Sequence, residues 1–145
     1  MLHTVDLLSI VMLLMMSIGF IIIPSFAQQT SLDLTAPTIS ELYGGKKRGT
    51  LEISVQNNTL SLTAVMDPVR QQLQPYEGWL EDKGEASGYL SLGKFNDDNT
   101  LTVNQTMINP PTYTVFFVTA EPVDDPDPNP SAVVAAAKLP PPFGQ

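Results

Sequence analysis

From Thr50 onward the chain repeats with a period of two, and that repeat limits its fold more than any other feature. Leu51, Ile53 and Val55 alternate with Glu52, Ser54 and Gln56, and after Asn57-Asn58 the apolar set resumes as Leu60, Leu62, Ala64 and Met66. Successive strand side chains point to opposite faces, so such a run buries one face and wets the other. Asparagine tolerates positive φ, which a two-residue hairpin turn requires, so the pattern predicts two antiparallel strands joined at Asn57-Asn58.

The same reading extends to the end of the chain. Tyr76 to Glu81 predicts a short strand stopped by Asp82-Lys83-Gly84. Tyr89 to Phe95 and Leu101 to Met107 predict a second hairpin across Asn96-Asp97-Asp98-Asn99, whose side chains can bond their own backbone in a turn. Tyr113 to Ala120 is apolar or Thr throughout, which predicts a central strand covered on both faces. Proline-rich residues 125–130 then forbid regular structure. Ser131 to Leu139 predicts a last strand, with a turn of helix at Ala132 to Lys138 as the alternative because Ala favours helix. Turn signals at this spacing predict an all-β domain, an antiparallel β-sandwich of about seven strands over residues 50–139. Residues 28–49 read as a spacer rich in Thr, Ser and Pro, and residues 140–145 as a tail.

Ahead of this domain lies an apolar segment, Met1 to Ala27, expected to form an N-terminal apolar helix. Leu7 to Ile23 carries no charge, and Ser25-Phe26-Ala27 places small residues where a signal peptidase reads them. Two features argue against a simple signal peptide and keep a retained membrane anchor as the alternative: no Lys or Arg precedes the run, and it is longer than a typical signal-peptide core and near the lower limit for a membrane span. Either outcome places the rest of the chain outside the cytoplasm, secreted or anchored at the cell surface.

Composition then narrows the chemistry. There is no cysteine, hence no disulfide and no thiolate-bound zinc. The single histidine, His3, lies in the apolar leader, which removes the commonest general base from the domain. Beyond Ala27 seven cations face fourteen carboxylates, a net charge of −7 that repels nucleic acid and anionic head groups. The basic run Lys46-Lys47-Arg48 between glycines reads as a solvated loop.

Few constellations carry chemistry. Gly88-Tyr89-Leu90-Ser91-Leu92-Gly93 has the wrong spacing for a nucleophile elbow. Glu77, Glu81, Asp82 and Glu85 flank the only tryptophan, Trp79, as a sugar-cleaving site would, but alternating charge on a strand marks a solvent face. Asp97-Asp98-Asn99 and Asp124-Asp125-Pro126-Asp127 supply oxygen ligands for at most a weak calcium site, without the spacing of a calcium loop. No catalytic residue, cofactor or metal site is expected. Asn57-Asn58-Thr59 and Asn104-Gln105-Thr106 are N-glycosylation sequons, with Asn57 and Asn104 as acceptors.

Tyr76-Glu77-Gly78-Trp79-Leu80, Leu92-Gly93-Lys94-Phe95, Leu101-Thr102-Val103 and Phe117-Val118-Thr119-Ala120-Glu121-Pro122, followed by Pro130 and Val133-Val134, occur in this order. Over about residues 49–139 the chain resembles the C-terminal extracytoplasmic domain of anti-sigma-K factors. The resemblance implies a non-catalytic β-sandwich in which Tyr76, Trp79, Gly93, Phe95, Thr119, Glu121 and Pro122 are structural, with Trp79 and Phe95 in the core. Only Met1 to Asp6 precedes the apolar run, so no sigma-binding domain is expected within this chain and no direct sigma-factor contact.

The function expected is therefore a binding or structural module of the cell envelope. Its partner would be a protein, a glycan or a second copy of itself, with the membrane engaged through the leader if that is uncleaved. A stand-alone sensor signalling through a membrane partner is the rival reading, and a secreted hydrolase the third.

Overall fold

In the computed structural model residues 29–68, 74–83, 88–124 and 126–143 are described, and the Met1 to Ala27 leader lies outside them. They form β1 (Thr30–Thr35), β2 (Lys47–Gln56), β3 (Thr59–Met66), β4 (Tyr76–Asp82), β5 (Gly88–Lys94), β6 (Thr100–Thr106), β7 (Tyr113–Ala120) and β8 (Ala132–Lys138). A single 3-10 turn, Pro110–Thr112, precedes β7. Among the described residues no helix is long and apolar enough to cross a membrane.

All strand pairs are antiparallel, in the order β5-β4-β7-β8-β1-β2-β3-β6. The chain is thus all-β, with seven strands where alternation places them and an eighth, β1, inside the stretch read as spacer. Leu32 and Leu34 alternate with Ser31, Asp33 and Thr35 over a run too short to stand out. Pairing with β2 makes the strand, and Leu34 ends fully buried. The expected pair of facing sheets is also revised. β8 meets β1 through one pairing, Thr35 with Ala136, so one sheet curls on itself toward a barrel.

The Asn57-Asn58 hairpin forms as the alternation requires, with φ of 49° and 60° at the two asparagines. The second expected hairpin does not. β5 and β6 are consecutive and flank the Asn96 to Asn99 turn, yet β5 pairs with β4 and β6 with β3. The Phe95 N–H donates to the Tyr76 carbonyl, and the Met66 N–H to the Asn99 carbonyl, so the turn hands the chain from one half of the sheet to the other. β5 and β6 approach within 8 Å between Cα atoms without pairing, and they bound the open seam of the curled sheet.

The interior is filled by Leu34, Leu51, Ile53, Leu60, Leu62, Leu80, Phe116 and Val118, which line the inward face of both halves. β7 sits between β4 and β8, and Val115 to Thr119 are all buried, as expected for a strand covered on both faces. The cover on its outer face comes from the Ala36 to Lys46 loop, whose Leu42 and Tyr43 lie against Trp79, Val115, Phe117 and Ala136. Hydrogen bonds between Ala36 and Lys46, and between Gly45 and Ala36, close the neck of that loop. The 140–145 tail is less free than expected: its Phe143 is buried in the main core beside Leu139, the residue before it.

Candidate ligand-binding groove

Strand directions give the molecule two distinct ends. At the tip end lie Thr30, the Asn57-Asn58 turn, the start of β7 and the end of β8; at the mouth end lie the start of β2, the end of β3, the start of β4 and the end of β7. A groove of about 590 Å³ opens at the mouth. Its floor is Met66, Tyr76, Val133 and Val134, drawn from β3, β4 and β8. Its rim carries Lys46, Lys47, Arg48 and Asp67.

The basic run is therefore not a free loop. Lys46 closes the neck of the Ala36 to Lys46 loop, and Lys47 and Arg48 open β2 where the β1–β2 register shifts. Lys47 Nζ stands 2.6 Å from Asp33 Oδ1. No carboxylate among the described residues is within ion-pair distance of Lys46 or Arg48. Burial pushes the Tyr76 hydroxyl's pKa up, partly offset by the Arg48 guanidinium nearby.

A second polar feature joins β4, β7 and the connection after β7. The Trp79 indole Nε1–H donates to Thr119 Oγ1 at 2.8 Å, the Thr119 hydroxyl donates to Glu121 Oε1, and the Ser131 N–H donates to the same carboxylate oxygen at 3.2 Å. Thr119 is fully buried and Glu121 is 4% exposed. Burial alone would raise the Glu121 pKa, but the hydrogen bonds from Ser131 and Thr119, with the Lys94 charge, outweigh it and hold the carboxyl below its ordinary value. These contacts tether the Glu121–Ser131 connection to the sheet, because the Glu121 N–H also donates to the Pro75 carbonyl.

Tyr76 meets Phe95 edge-on at 6.0 Å, and Trp79 stacks on Phe117 at 6.4 Å. Gly93 takes a φ of 106° beside the register shift between β4 and β5, a conformation that glycine alone adopts freely. Pro122 is exposed and stands outside both clusters. Tyr76 and Trp79 thus lie on β4, Gly93 on β5 with Phe95 just beyond it, Thr119 on β7, and Glu121 and Pro122 on the connection after β7, with Trp79, Thr119 and Glu121 in one chain of hydrogen bonds.

Trp79 lies on the same face as Glu77 and Glu81, yet it is 5% exposed beneath Leu42 and Tyr43 and offers no ring face to a sugar. Glu77 accepts a hydrogen bond from the Ser91 hydroxyl, Glu81 stands 3.9 Å from Lys83, and Glu85 lies outside the described residues. Asp98 accepts from the Thr100 N–H and Asp127 from the Asn129 N–H, each an Asx turn. Asp125 is not among the described residues, and within those no three acidic, His or Cys side chains gather as a metal site would need. Both sequon asparagines are exposed: Asn57 at the tip, and Asn104 on β6, opposite Ser61.

Sequence reading missed the groove because its floor comes from three strands far apart in the chain. The one available signal was that three of the seven cations are adjacent. No model of a known family, no curated protein and no solved structure matches the chain.

Proposed function

We propose that this chain is an exported, non-catalytic binding module of the cell envelope, carried behind an apolar helical leader, whose contact surface is the mouth of the sheet. The observation that supports this is polarity. The described chain enters the sheet at Thr30, at the tip end shared with Asn57, whereas the groove opens at the opposite end. A domain tethered through its N-terminus presents its far end to a partner, and glycans at Asn57 and Asn104 would leave that end clear. The sequence resemblance to the anti-sigma-K C-terminal domain, which lies across a membrane from its cytoplasmic partner, supports the same reading.

Two measurements on cells test it. Intact mass in medium and membrane fractions is expected to show either a chain beginning at Gln28 in the medium or Met1 retained in membranes. A photoreactive residue at Asp67, on the rim, is expected to crosslink a partner that the same residue at Thr102, on the outer face of β6, does not capture. Full-length protein in the cytosol, or equal crosslinking from both positions, overturns the proposal. One dominant membrane protein as the captured partner would turn the module into a sensor.

A further inference from the structure

We infer that the mouth groove binds an acidic peptide segment of a partner protein, one that sets an aliphatic side chain between carboxylates. The inference rests on the reading of the chain as a binding module and names the chemistry its groove accepts.

Charge comes first. The domain is strongly acidic, yet Lys46 and Arg48 both line the groove with no carboxylate of the described residues in ion-pair range, while Lys47 is held by Asp33. Cations at a concave site bordered by low-dielectric walls concentrate anions there. Two such cations match two carboxylates better than a polyanion, whose many charges the rest of the surface repels.

The floor decides between anions. Val133 and Val134 are aliphatic and only partly buried, whereas Met66 at 3% and Tyr76 at 6% exposure offer almost no surface, the Tyr76 ring lying edge-on to Phe95. A sugar ring finds no open aromatic face, whereas a Leu or Val side chain finds an aliphatic surface of matching chemistry. A volume of about 590 Å³ suits a short segment rather than a broad protein face. Asp67 on the same rim adds selectivity, since a carboxylate placed on its side of the groove is repelled and the peptide is held in one orientation.

The test is titration of the full-length chain with the acetylated, amidated peptide Asp-Leu-Asp-Leu-Asp. Its Asn-Leu-Asn-Leu-Asn counterpart, trigalacturonate and phosphatidylglycerol vesicles are run beside it. The acidic peptide is expected to bind, to shift the Met66 methyl and Tyr76 ring signals, and to weaken steeply as salt rises. Lys46→Gln combined with Arg48→Gln is expected to weaken it about tenfold, with Lys138→Gln at the tip end as the unchanged control. Should the double variant lose its folded circular dichroism, the salt dependence and the shifts at Met66 and Tyr76 in the unaltered chain decide. The inference falls if the Asn peptide binds equally, if the shifts appear elsewhere, if trigalacturonate binds more tightly, or if vesicles bind more tightly in a way that Lys46→Gln with Arg48→Gln abolishes. A crosslinked partner without peptide binding sinks this inference alone; peptide binding by a chain that stays in the cytosol sinks only the export reading.

Discussion

Glu121 is the residue whose environment departs furthest from what its type predicts. A carboxylate at 4% exposure is costly unless every nearby donor is turned on it, and here the Thr119 hydroxyl and the Ser131 N–H are. Glu121→Gln keeps the shape but loses the charge-assisted part of those bonds, and it is expected to lower stability by about 2 kcal/mol in a denaturant titration. The sign of the pH dependence follows from the depressed pKa. The folded state holds the ionised form more tightly than the unfolded chain does, so this stabilisation is complete above the unfolded carboxylate pKa. It is lost as pH falls through the lower folded value. Between neutrality and about pH 3 the wild-type chain should therefore lose more stability than Glu121→Gln, and parallel acid melts of the two would refute the assignment. Gly49 makes a different residue-scale demand. A Cβ there would lie 2.2 Å from the Val65 carbonyl oxygen, so Gly49→Ala must push β2 from β3 and is expected to cost about 2–3 kcal/mol in the same titration.

At the scale of elements, local alternation was legible and strand partnership was not. The β2–β3 hairpin could be read because its turn residues and both apolar rows are contiguous, so every piece of the instruction lies within residues 51–66. β5 and β6 carry equally good turn chemistry at Asn96 to Asn99, yet they part, because β5 takes its hydrogen bonds from β4 and β6 from β3, a long-range partnership that no local pattern reveals. β1 was hidden for the same reason, as its strand character comes from pairing with β2. The groove floor could not be read from the chain, since Met66, Tyr76 and Val133 meet only after the sheet curls. The hairpin supplies a prediction at its own scale. Asn58 sits at a φ of 60°, which costs an Ala about 1 kcal/mol and a Gly almost nothing. Asn58→Ala should lower the thermal midpoint and Asn58→Gly should hold or raise it, while a matched fall in both would mean that the Asn58 side chain, not its backbone, secures the turn.

The described residues form a single sheet whose halves are joined by one pairing, Thr35 with Ala136, and parted at the seam between β5 and β6. A sheet so weakly sewn depends on side chains that bridge its halves. Leu139 and Phe143, after the last strand, belong to the same buried cluster as Leu34 on β1 and Phe116 on β7. Pro140 and Pro142 cannot donate to a ladder, so residues 140–143 contribute through packing, with the Phe143 N–H turned back to the Pro140 carbonyl. Removing residues 139–145 deletes two large apolar side chains from the core. At about 2–4 kcal/mol each, that loss rivals the whole stability of a domain this size, roughly 5–15 kcal/mol. The truncated chain is expected to be unfolded or molten at 37 °C by near-ultraviolet circular dichroism. Phe143→Leu, which keeps most of the buried area, should stay folded with a lowered midpoint. A truncation that melts like the full chain would show that the β1–β8 junction holds the sheet closed without its plug.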